Sequence, residues 1–112
     1  RLSPASADAR ALTSRLEVAK GAAGSRTWPD YRSAFDAGLE AIRTSDWSGA
    51  VEANRAALAH DPRSADAWNN LGWSLAQLGF RDEAMRAYRK SLEIRPDDTR
   101  TANNLRLIEE KR

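Results

Sequence analysis

The segment Ala67–Phe80, AWNNLGWSLAQLGF, carries two tryptophans, Trp68 and Trp73, five residues apart. A helix turns by roughly 100° per residue, so five steps place the two indoles roughly 140° apart. They cannot face one core. Trp68 shares its side with Leu71, Gly72 and Leu75, an apolar set that reads as interior. Trp73 shares the other side with Asp66, Asn69, Ala76 and Gln77, which sets a large aromatic on a polar face. That placement has to be explained by something outside the core.

Working outward, the chain matches itself at a shift of 34 residues. HDPRSADAW (60–68) falls on IRPDDTRTA (94–102), with Pro62 over Pro96 and Ser64 over Asp98, and the tripeptide Asn69-Asn70-Leu71 recurs as Asn103-Asn104-Leu105. One period earlier, Asp30 stands where Ser64 and Asp98 stand later. All three are residue types whose side-chain oxygens accept from the free N–H groups at a helix start, so the spacing predicts helices that begin in register. Helices are expected over Tyr31 to about Thr44, Trp47–His60, Ala65–Leu78, Arg81–Ile94 and Thr99 to about Lys111. Ser45-Asp46 and Gly79-Phe80 supply tight turns, and Pro62 and Pro96 stop the second helices. No β-branched alternation competes, and the fold class expected is all-α.

These residues resemble the tetratricopeptide repeat (TPR) family. Over residues 65–98, Trp68, Leu71, Gly72, Ala84, Tyr88 and Pro96 occupy the family's signature positions, with Leu75 and Ser91 as departures. Residues 31–64 are a weaker repeat: Gly38, Ala50, Ala57 and Pro62 match, while Ala34, Ala37 and Asn54 replace larger apolar residues. The resemblance implies an α-solenoid of antiparallel helix pairs, with repeats 31–64 and 65–98 and a capping helix 99–112. Repeats of this kind bury their apolar faces only against neighbours, so the N-terminal side needs a cover. Residues 1–30 are the candidate: a helix over Pro4–Lys20 and a flexible GAAGSRT connector, docked as a cap or left from a degenerate upstream repeat.

Composition narrows the function classes. With 112 residues the chain suits one domain. Its 18 basic and 16 acidic residues are interleaved, and the net charge of +2 offers no basic stripe for nucleic acid. The absence of cysteine excludes disulfides and thiolate metal sites and leaves the compartment open. No apolar run approaches the roughly 20 residues needed to span a bilayer. The chain starts at Arg1 rather than Met, which suggests a processed product or a piece with any targeting signal upstream. One histidine, His60, at a helix end, and acidic pairs at helix starts build no catalytic constellation. The expectation is a non-enzyme needing no cofactor and no metal.

Binding is the remaining class. The family resemblance implies that first helices line a concave groove, here through Arg32, Phe35, Asp36, Leu39, Ile42 and Arg43, then Asp66, Asn69, Asn70, Trp73, Ala76 and Gln77, then Arg100, Asn103, Asn104, Leu107, Glu110 and Lys111. Phe35, Leu39, Trp73 and Leu107 would form an apolar stripe beside asparagines that can both donate to and accept from a peptide backbone. A surface tryptophan in such a setting is a typical interface anchor. The family's carboxylate clamp is matched at Asn70 and substituted at Arg100, but Phe35, Leu39 and Asn104 depart from it. A hydrophobic or amphipathic segment of a protein partner is therefore expected, with any acidic group near Arg32 or Arg100. The alternative is self-association into a homo-oligomer through the stripe and the array ends.

Overall fold

The computed structural model describes residues 27–111. Among them are five helices and no strand: α1 (Tyr31–Arg43), α2 (Trp47–His60), α3 (Ala65–Gln77), α4 (Arg81–Ile94) and α5 (Thr99–Glu110). The expected boundaries hold to within one residue or so. The helix and connector expected before residue 27 lie outside the described residues.

The 34-residue period appears as repeated capping chemistry. Asp30, Ser64 and Asp98 each accept a backbone N–H of the following helix, at 2.8 Å from Ser33, 3.1 Å from Ala67 and 3.1 Å from Arg100. Each cap of this kind is worth about 1 kcal/mol. The turns repeat as well. Ser45 donates to Ile42 and Asp46 to Ala41, and one period later Gly79 donates to Ala76 and Phe80 to Leu75. This paired closure needs a left-handed residue just past the helix. Gly79 takes it at φ 88°, and Ser45 takes it at φ 61° despite its Cβ.

Helices α1 and α2 pack antiparallel, as do α3 and α4, and α3 also packs on α2 while α5 packs on α4. The core runs along these contacts, through Val51, Leu58, Leu71, Leu75 and Tyr88. Close approach within the second pair depends on Gly72, where an added Cβ would lie 2.7 Å from ring carbons of Tyr88. The equivalent contact in the first pair is Gly38 against Asn54, whose amide nitrogen would be 2.7 Å from such a Cβ. Asn54 is fully buried, donates to the Ala50 carbonyl at 2.9 Å and leaves its Oδ1 unpaired. Apart from Val51 and Leu58, the buried residues of this pair are small or polar, with Ala34, Gly38, Ala50, Ala53, Asn54 and Ala57 among them.

Hydroxyls tie helices together both between the pairs and within the second one. Tyr31 and Ser64 share a hydrogen bond of 2.8 Å, and buried Ser91 donates to the Ala65 carbonyl at 2.8 Å. His60 donates from Nε2 to the Trp28 carbonyl at 3.0 Å, which holds the entry of the chain onto α2. No described helix is long and apolar enough to cross a membrane.

Candidate functional site

Helices α1, α3 and α5 are successive neighbours on one side of the fold. Among the described residues, three large hydrophobic side chains are exposed: Leu39 (44%), Trp73 (39%) and Leu107 (51%). They stand 34 residues apart, one per helix, at the same position of the period. The two tryptophans of the opening segment divide as their angular separation requires. Trp68 is half-buried against the core, and its indole N–H donates to the Pro62 carbonyl at 2.9 Å. Trp73 faces outward.

The polar residues expected beside this stripe are used in different ways. Asn69 is 4% exposed, and its Oδ1 accepts from the Thr101 hydroxyl at 3.0 Å and from Asn104 Nδ2 at 3.2 Å. It therefore joins α3 to α5 rather than facing outward. Asn103, one period on, is exposed because no described helix packs over it, and it accepts from Arg106 at 3.3 Å. Asn70 and Gln77 lie one turn before and one turn after Trp73, on its face of α3, and their side-chain amides have no partner among the described residues. Phe35 is half-buried and stacks on Tyr31, ring centroids 5.4 Å apart, so it is withdrawn from the stripe.

The charged positions are occupied within the chain. Arg32 pairs with Asp36 at 3.3 Å, Arg43 with Glu40, and Arg106 with Glu110 at 3.3 Å. Asp66 Oδ1 accepts from both Arg95 at 3.0 Å and Arg100 at 3.1 Å. The reach of Arg95, from the end of α4, has no periodic signal in the sequence. All these pairs are exposed and contribute little stability.

A cleft of about 510 Å³ opens elsewhere, floored by Trp68, Leu71 and Leu75 and rimmed by Arg55, Arg86 and Lys90. Its volume suits a ligand. Leu71 and Leu75 are nearly fully buried, however, and their surface already serves the packing of α3. Apolar surface is left over at the Leu39–Trp73–Leu107 stripe instead. No group of three residues suited to a metal ion occurs among the described residues.

A family model described as tetratricopeptide repeat matches residues 35–99. The peroxisomal targeting signal receptor of Eremothecium gossypii is 34% identical over 68 residues, covering 61% of this chain and 12% of the receptor. Superkiller complex protein 3 of Mus musculus is 31% identical over 80 residues, covering 71% of this chain and 5% of that protein. Among solved structures, that of the MamA protein superposes with a TM-score of 0.69 at 26% identity, over 72% of this chain and 44% of the other. The chain thus spans 12% or less of the length of these curated relatives.

Proposed function

Because this chain belongs to the tetratricopeptide repeat family, we propose that residues 31–112 form a non-catalytic protein-interaction domain that binds a peptide segment of a partner in its concave groove. The observation that carries this reading is the exposure of Leu39, Trp73 and Leu107 at one position of the period on three adjacent helices. Packing within the fold gives no reason to leave three large apolar side chains in water, whereas a ligand that covers them gains about 25 cal/mol per Å² of apolar surface removed from water. A relative whose name makes it a receptor for a targeting signal lends support.

Trp73 is the anchor, Asn70 and Gln77 are its polar flanks, and Leu39 and Leu107 extend the contact. Asn69 stands behind them and fixes the α3–α5 geometry. Self-association through the array end is less favoured, because the outward positions of α5 carry Asn103, Arg106 and Glu110 in mutual polar contact.

The test compares wild-type protein and Trp73→Ala in pull-downs, with thermal melts of both. The partner retained by the wild type should be lost, with a cost of about 2 kcal/mol or more in affinity, while the two melts coincide. Equal retention by both proteins would remove the groove from consideration.

A further inference from the structure

We propose that the cleft between α2 and α4 is a second ligand site, selective for a small amphipathic carboxylate whose aromatic body lies on Trp68 and whose single anionic head meets Arg55. The site uses a different face of α3 and different residues from the groove, and it stands or falls independently of it.

The hollow comes from how the helices splay. Helices α2 and α4 each pack on α3 but barely on each other, so a space of about 510 Å³ is left between them with α3 as its floor. That volume lies in the range of small-molecule sites, about 300–1,000 Å³. Leu71, Leu75 and Ala87 close the bottom and have little surface to give. What a ligand meets is the half-buried indole of Trp68.

The floor dictates the body of the ligand. The Trp68 indole N–H is already donated to the Pro62 carbonyl at 2.9 Å, so this side chain offers a ligand only its ring carbons. Leucine and alanine side chains add no donor or acceptor. A polar group seated there would give up water and find no partner. An aromatic ring would instead stack on the indole and remove apolar surface from water.

The rim dictates the head. Four cations line the cleft, and three of them are taken: Arg86 by Glu83, Lys90 by Glu93 at 3.7 Å and Arg89 by Glu109 at 3.3 Å. Arg55 is exposed and has no hydrogen bond or ion pair among the described residues. Its guanidinium presents paired N–H donors in the geometry that a carboxylate accepts. One free cation beside an apolar floor suits one negative charge. A phosphate dianion would leave its second charge without a counterpart.

The experiment uses the full chain, ¹⁵N-labelled, and follows the indole N–H signals, with Trp68→Phe and Trp73→Phe assigning the two of interest. Naphthylacetate, its neutral counterpart naphthylacetamide, and acetate are each titrated to millimolar concentration. Naphthylacetate should shift the Trp68 signal and leave that of Trp73 in place, and acetate should move neither. The aromatic carboxylate should bind about three- to fivefold tighter than the amide, as an exposed ion pair allows. Arg55→Gln, at an exposed position, should abolish that preference without changing the affinity for the amide, and Arg55→Lys should restore part of it. Equal affinity for the two aromatic probes, or a preference that survives Arg55→Gln, would overturn the proposal. So would a Trp68 signal that neither aromatic probe moves, or a shift at Trp73 alone, which would put the probe in the groove.

Discussion

Gly72 lies against the flat of Tyr88, so close that a methyl group on Gly72 would sit 2.7 Å from two of its ring carbons. The ring is itself fully buried, and burial pushes the Tyr88 hydroxyl well above its usual pKa. The contact sets the separation of α3 and α4. Gly72→Ala should destabilise the domain by about 1–3 kcal/mol, the usual cost of overpacking a filled core, and Gly72→Leu by more. Urea melts of the two variants read this directly.

The two indoles of α3 should separate stability from binding. Trp68→Ala removes a half-buried side chain and the bond to Pro62, and should cost about 2–3 kcal/mol, below the roughly 3–5 kcal/mol of a fully buried aromatic. Trp73→Ala should change stability by no more than about 0.5 kcal/mol, as for other surface sites. Equal melting temperatures for the two variants would contradict this division.

The turn after α1 stores strain that the turn after α3 does not. Ser45 and Gly79 occupy the same left-handed position one period apart. Ser45→Gly should stabilise the fold by about 0.5–1 kcal/mol, the relief of the Cβ clash less the added freedom of the unfolded chain. Gly79→Ala should destabilise it by about 1 kcal/mol, although open space surrounds that site.

The α3–α5 junction turns on one hydroxyl. Thr101 is fully buried and its Oγ1 lies 3.0 Å from Asn69 Oδ1 and 2.8 Å from Asp98 Oδ2. Thr101→Val keeps the shape and deletes the single hydroxyl proton that the two acceptors share, leaving Asn69 Oδ1 with Asn104 alone, at a cost of about 1 kcal/mol. Hydrogen exchange should show lost protection in α5 before any loss in α3 or α4.

Acid should loosen the helix starts. Burial alone would raise the Asp98 carboxyl, but the Thr101 hydroxyl, the Thr101 and Arg100 amides and the Arg100 charge together hold it below the usual range. Asp30 is lowered by the backbone and hydroxyl of Ser33, and Glu40 by Arg43. A carboxyl with a depressed folded pKa contributes stability above its unfolded pKa and loses it as pH falls through the folded one. Stability should therefore be flat near neutrality and decline below about pH 4. Asp98→Asn, which still caps, should flatten part of that decline.

Much of the architecture was readable from the cap spacing at Asp30, Ser64 and Asp98, because capping is local chemistry that needs no knowledge of the tertiary fold. The outward indole was readable for a similar reason, since helical angle alone separates Trp73 from Trp68. Asn69 was less transparent. Its angular position is that of a surface residue, and only the docking of α5, with Thr101 and Asn104 arriving from more than 30 residues away, turns it inward. Phe35 is likewise withdrawn by a neighbour on its own helix, Tyr31, a ring contact that periodicity does not encode.

The seam of Gly38 and Asn54 has a consequence for local opening. The hairpin α1–α2 is closed by Val51, Leu58, several alanines and one half-satisfied carboxamide, while α3–α4 is closed by a tyrosine, leucines and a methionine. Less apolar area per turn makes the first hairpin the cheaper one to open. Leu39 belongs to that hairpin, so transient fraying there would remove one residue of the stripe and leave the other two in place.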